Sequence, residues 1–147
     1  MAKTERQKAK EKAWSAFSKY IRLRDCIITT DTTYEGICVT CNRLYPFKQT
    51  QAGHFIPGRN NAVLFREDMV HLQCAGCNLN PPRGKGGNLI KYWPFMENTY
   101  GRERVDKMIA EAHQEVIYKI PDLKEIEAKY KQMFIDLTKD KSRALWV

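Results

Sequence analysis

Apolar residues recur with helical spacing at both ends of the chain and with strand-like spacing in a short middle stretch. Over residues 4–25, Ala13, Trp14, Phe17, Tyr20, Ile21 and Arg24 return at steps of three and four. That pattern predicts a helix that buries Trp14, Phe17 and Ile21 and turns its lysines outward. Residues 27–36 are β-branched and then turn-like, a short strand or loop. Residues 49–55 and 62–65 read as two strands, joined by the turn Pro57-Gly58-Arg59-Asn60-Asn61. Three helices are expected over 88–100, 102–112 and 122–139, with Pro94 kinking or splitting the first. Their aromatic and Met stripes have the spacing of core positions. Between middle and end, Arg83-Gly84-Lys85-Gly86-Gly87 lacks the P-loop pattern and reads as a flexible basic connector. There is no internal repeat and no low-complexity segment.

Composition adds bounds. The chain has 147 residues, 43% apolar and 29% charged, which is enough to build one core in one domain. No apolar run approaches the ~20 residues a membrane helix needs. Basic residues near the N-terminus have no apolar segment behind them, so no signal peptide is expected and the chain reads as soluble and intracellular. The net charge is +8, and the first 24 residues carry eight basic side chains against two acidic ones. Such asymmetry suits a polyanionic partner, although a solvated helix face has the same look.

The cysteines carry more information. Of five, Cys38 and Cys41 form one C-x2-C pair, and Cys74 and Cys77 form another; Cys26 is left over as an inert buried thiol. An odd count without a secretory signal argues against a disulfide framework. A redox pair or an iron site remains conceivable, but two knuckles together fit a closed structural Zn²⁺ site. Thirty-two residues separate Cys41 from Cys74, more than the roughly 15–20 of an ordinary zinc ribbon. That insert holds His54, at the end of the first expected strand, and His71, which leads into Cys74. Zinc would then pin both ends of a hairpin that presents two imidazoles.

A knuckle, a Gly-His strand end, a turn and a second knuckle followed at once by Asn78 resemble the HNH, or ββα-metal, nucleases. The endonuclease VII-like branch of that family has a metal-ligating Asn after its last Cys. A narrower resemblance is to the phage NinG (Rap) recombination family. It rests on residues 19–25, the two C-x2-C pairs, Ala52-Gly53-His54-Phe55, Phe65-Arg66-Glu67-Asp68, His71-Leu72-Gln73-Cys74 and Cys77-Asn78, in that order. Tyr100-Gly101-Arg102-Glu103-Arg104-Val105 and residues 123–130 extend it, so that it covers about residues 12–138.

The resemblance implies an α+β fold, with a zinc-knuckled ββα-metal core over 36–82 between a basic N-terminal helix (1–25) and C-terminal helices (88–139). It implies a structure-selective endonuclease acting on branched recombination intermediates such as Holliday junctions and D-loops. His54 would be the general base, and Asn78 would hold a catalytic Mg²⁺ or Mn²⁺. Arg59, Arg66, Arg83 and Lys85 would meet DNA. The expected setting is the cytoplasm of a bacterial host, with a phage- or prophage-encoded protein. The expected partners are DNA, recombination or replication proteins and a second copy of the chain, since a junction needs paired cuts.

Two departures stand out. The family places Asp or His just before the general base, where Gly53 offers no side chain. The Asn that orients the base is replaced by Met69. His71 or Gln73 could orient His54 instead, and His71, Asp68 or Asp25 could supply the missing ligand, His71 being preferred. The competing readings are a four-cysteine zinc module that binds DNA without cutting, an HNH endonuclease with no preference for branches, and an adaptor using the exposed face of residues 125–139.

Overall fold

Thr4 starts the first helix with a reciprocal cap: its hydroxyl accepts from the Gln7 amide at 3.1 Å and its own amide donates to Gln7 Oε1 at 2.8 Å. The computed structural model describes residues 2–147; Met1, the first residue of the expected N-terminal segment, lies outside the described residues. Helix α1 runs Glu5–Thr30, five residues past the expected end, and stops where Asp31 takes the left-handed conformation at φ 57°. The β-branched run 27–30 therefore continues a helix, because packing of Ile27 against the core outweighs its propensity for strand.

Two antiparallel hairpins follow. Strands β1 (Glu35–Ile37) and β2 (Leu44–Pro46) bracket the first cysteine knuckle. Strand β3 (Thr50–His54) pairs with β4 (Val70–Cys74), with Gly53 opposite His71 and His54 opposite Val70. The expected second strand at 62–65 is instead a helical turn, α2 (Asn61–Leu64). Strand β4 takes that place because its five residues are all buried and extend straight into Cys74. A short helix, α3 (Ala75–Asn78), follows without a linker.

Helices α4 (Leu89–Tyr100), α5 (Arg102–Glu111) and α6 (Ile120–Lys139) complete the order, and α4 continues through Pro94 without splitting. The result is a mixed helix and small-sheet α+β arrangement. Helix α1 packs along α6 through Phe17, Tyr20, Ile21, Tyr130 and Leu137. A second cluster joins Phe55, Val63 and Met69 to Tyr92, Met96, Val105 and Met108, so α4 and α5 close over the far side of the β3–β4 hairpin. Each large side chain so buried contributes about 1.5–3 kcal/mol. Within this core Arg24 and Asp25 form a buried pair at 2.7 Å. Arg24 also donates to the carbonyls of Glu67 and Val70, and Asp25 accepts from the Leu72 amide and the Trp146 indole. No helix among the described residues is long and apolar enough to cross a membrane.

Candidate active site

The four cysteine sulfurs of the two knuckles lie within 4.8 Å of one another, close enough to hold a structural metal such as zinc. A tetrahedron with bonds of ~2.3 Å sets its sulfurs about 3.8 Å apart, and Cys41 and Cys74 are separated by 3.8 Å. Burial raises the Cys38 thiol, but the Thr40 hydroxyl and nearby backbone amides outweigh it and bring it down to about 7. Asn88 Nδ2 donates to Cys77 Sγ at 3.4 Å. Donors to thiolate sulfur of this kind accompany metal-bound cysteines. Cys26 is buried, its thiol pushed up to about 12 by desolvation first and Asp25 second, which fits an inert role.

The second knuckle fixes Asn78. Helix α3 is only four residues long, and its carbonyls are capped by the glycine loop: Lys85, Gly86 and Gly87 amides donate to Gly76, Leu79 and Cys77 at 3.0, 2.8 and 2.8 Å. A Cβ on Gly84 would collide with the Leu79 carbonyl. The loop is thus a folded lid on the helix, a correction to the flexible connector expected from its composition. Asn78 Nδ2 in turn donates to Gln51 Oε1 at 2.8 Å, which holds the side chain against β3.

His54 and Asn78 line one cleft of about 680 Å³ running along β3, with Trp14, Ser18 and Arg22 of α1 forming its other wall. His54 Nε2 lies 3.3 Å from the Leu64 carbonyl. A carbonyl only accepts, so Nε2 carries the proton and Nδ1 keeps its lone pair. Trp14 stacks on the imidazole at 5.1 Å with an interplanar angle of 19°, and Arg59 sits over the indole at 4.6 Å. Burial chiefly, with Arg59 nearby, holds His54 down at about 4, so the ring is neutral throughout the physiological range. The imidazole is oriented by a backbone carbonyl and a tryptophan, where the family pattern has an Asn.

His71 occupies a different environment. It is fully buried, ringed by Tyr92, Phe95, Tyr100 and Trp146, and held down at about 3 by desolvation. Tyr92 donates its hydroxyl to the Gly53 carbonyl at 2.7 Å. Its oxygen therefore accepts from His71 Nδ1–H at 3.1 Å, which leaves Nε2 to accept from the Tyr100 hydroxyl at 2.8 Å. Both nitrogens are occupied, and His71 is absent from the lining of the cleft. The expected catalytic role and metal-ligating role for His71 do not fit this position; the residue fixes the β3 backbone from behind. Asp25 and Asp68 are no better placed. Asp25 is saturated in the core, and Asp68 takes a two-pronged contact from Arg66 at 3.0 Å on both oxygens.

That pairing also removes Arg66 from the free cations, since its remaining nitrogen lies 3.5 Å from Glu111. Arg59 is exposed at the mouth of the cleft, and Arg83 and Lys85 are exposed on the lid. Gln73 is the residue that sequence reasoning placed least well. It is fully buried, with Nε2 donating to the Gly87 carbonyl at 2.8 Å and to Thr40 Oγ1 at 3.1 Å. Its Oε1 has no hydrogen-bond partner. A Cβ on Gly53 would collide with that oxygen and stand 2.9 Å from Asn78 Oδ1. Glycine is at residue 53 because Gln73 fills its side-chain space.

The family model described as the bacteriophage lambda NinG protein matches residues 1–140. Proteins named ninG from Escherichia phage 933W and Enterobacteria phage VT2-Sa are each 31% identical to the chain over 138 residues. These alignments take in 91% of this chain and 60% of each relative, so the chain spans about three fifths of their length. No solved structure matches it. A match running through both knuckles, the cleft and the C-terminal helices places this chain in the NinG family.

Proposed function

We propose that the chain is a metal-dependent DNA endonuclease of the HNH type, acting on branched recombination intermediates such as Holliday junctions and D-loops. The observation that carries the reading is the pairing, in one cleft, of a neutral imidazole with a free Nδ1 and the Asn78 amide, which follows the second cysteine pair and is held by Gln51. The hairpin β3–β4 running directly into α3 supports the ββα-metal comparison. The excess of basic side chains supports a polyanionic substrate.

In this mechanism His54 Nδ1 takes a proton from the attacking water while Nε2–H stays on the Leu64 carbonyl, and the Trp14 face keeps the ring from turning. Asn78 offers a neutral, hard amide oxygen, which fits Mg²⁺ or Mn²⁺. A cation held there would supply charge stabilisation at the phosphate and the leaving 3′ oxygen. Arg59 and Arg22 line the cleft and meet phosphates without reading bases. Cys38, Cys41, Cys74 and Cys77 would hold a zinc ion whose part is structural, keeping the hairpin and α3 in register. Two copies of the chain would deliver the paired cuts that a two-fold junction needs.

The test is cleavage of labelled four-way-junction and linear duplex DNA with Mg²⁺ or Mn²⁺, beside EDTA and His54→Ala. Cutting that needs metal and His54 and favours the junction supports the whole reading. Equal cutting of both DNAs keeps the endonuclease and removes the branch preference. Binding without cutting under any metal would favour the second reading, a zinc-built DNA-binding module, to which the missing side chain at Gly53 points.

A further inference from the structure

Two amide oxygens converge beside Gly53. Gln73 Oε1 is buried and unpartnered and occupies the space that a methyl group on Gly53 would fill, and Asn78 Oδ1 lies 2.9 Å from that same point. The Gln73 orientation is set by a carbonyl. The Gly87 carbonyl only accepts, so the amino end of Gln73 faces it and the oxygen must face Gly53. Gln51 Oε1 takes the Asn78 amino group, which turns Asn78 Oδ1 the same way. An acceptor left unpaired in the interior costs about 1–3 kcal/mol. Two amide oxygens brought near one point add repulsion, unless positive charge lies between them. Neutral amide oxygens suit a hard divalent cation, and water supplies the rest of its shell.

We propose that Gln73 Oε1 and Asn78 Oδ1 together are the protein ligands of a divalent cation, with Gln73 reaching across the hairpin to fill the position that Gly53 leaves vacant. This rests on the nuclease reading above for its purpose, but not for its geometry. Gln73 also touches Thr40, whose hydroxyl lies 3.3 Å from Cys38 Sγ. The zinc knuckle therefore braces this ligand as it braces Asn78. A neutral pair binds more weakly than a site containing a carboxylate, so phosphate oxygens of the bound DNA would be expected to tighten the cation.

The experiment is Mn²⁺ binding, followed by electron paramagnetic resonance on the zinc-loaded full chain without DNA. Wild type, Gln73→Ala and the double variant Gly53→Asp/Gln73→Ala are compared at equal zinc content. Gln73→Ala should weaken Mn²⁺ by roughly tenfold or more. The double variant lacks the same hydrogen bonds to Gly87 and Thr40 but offers a carboxylate in the vacated space, so it should bind at least as tightly as wild type. Recovery in the double variant separates loss of a ligand from loss of packing. The proposal is overturned by wild-type affinity in Gln73→Ala, which would mean that Asn78 turns its amino group onto Gln73 instead. It is also overturned if wild type binds no Mn²⁺, or if the double variant binds no better than Gln73→Ala. Should Gln73→Ala not fold, the double variant against wild type and Gln73→Glu provides the same comparison. Because the readout is cation binding, cleavage by wild type with no effect at Gln73 would sink this inference alone; absence of cleavage with an intact Mn²⁺ site would sink the nuclease reading alone.

Discussion

His54 and His71 stand one register step apart on paired strands and have opposite fates. His54 keeps one nitrogen free in a cleft between β3 and α1, while His71 spends both nitrogens on tyrosine hydroxyls under α4. Strand geometry causes the split, because neighbouring positions along a strand point to opposite faces. One face meets a helix that leaves a gap lined by Trp14 and Arg22; the other meets the aromatic side of α4 and the C-terminal Trp146. Burial depresses both imidazoles, so neutrality by itself does not mark a base. What distinguishes His54 is a lone pair that faces a cleft.

The largest effect should fall on both sides alike. If the four cysteines hold zinc, Cys77→Ser or chelation would remove the common brace of β4, α3 and the glycine lid. Structural zinc supplies about 10–16 kcal/mol of apparent binding energy in small domains. Zinc content and cooperative thermal unfolding should therefore be lost together. A chelated chain that kept its melting transition would break the comparison, since neither histidine would then depend on the knuckles.

The two histidines should then separate by readout. On the proposed endonuclease reading, His54→Ala should lower the cleavage rate by about 10²–10⁴-fold, the range for removing a general base, while the melting temperature moves little. His71→Phe keeps the ring contacts but strands the Tyr100 hydroxyl, and should cost about 1–3 kcal/mol of stability. Its cleavage rate, measured well below the melting point, should stay near that of wild type. Reversed outcomes would mean that His71, not His54, serves the chemistry.

Acid sharpens the same contrast. Both histidines titrate near 6.5 when unfolded and at about 4 (His54) and about 3 (His71) when folded. Between these limits the unfolded chain binds protons that the native chain refuses, so stability is full above about pH 6.5 and falls as pH drops. Each histidine contributes a slope approaching about 1.4 kcal/mol per pH unit. Urea unfolding of His54→Gln should be shallower than wild type from 6.5 down to about 4, and that of His71→Phe shallower to about 3. Comparing variants at matched pH cancels any acid lability of metal binding at the four cysteines.

Much of this arrangement was legible in the sequence because local spacing carries it. The C-x2-C pairs, the long N-terminal helix and the strand ending in His54 all follow from residues within a few positions of one another. The pairing of that strand differs from the expectation. Residues 62–65 are as apolar as a strand, and only the pull of the second knuckle makes 70–74 the partner. The orienting groups of His54 were out of reach for a different reason. A backbone carbonyl at Leu64 has no sequence signature, and the stacking of Trp14 on the imidazole is a tertiary contact that helical period does not reveal. Gln73 shows the limit most clearly. Gly53 looks like a lost ligand in the sequence, and its meaning changes once an oxygen from the opposite strand is found in its place.

The smallest effect should come from Arg59, at the exposed mouth on the His54 side. Its guanidinium lies over Trp14, and Trp14 lies on His54, so a stack links a solvent-facing cation to the ring it orients. An exposed cation that meets one phosphate adds modest affinity and no sequence preference. Arg59→Gln should weaken DNA binding about equally for all sequences and lower the salt slope of log K by about one. Its cleavage rate at saturating DNA should stay within a few-fold of wild type, because Trp14 still holds the ring. A loss as deep as that of His54→Ala would mean that the stack holds the imidazole more firmly than the Leu64 carbonyl does. An unchanged salt slope would mean that DNA does not enter from the His54 side, and the two faces of the hairpin would have to be compared afresh as routes to the substrate.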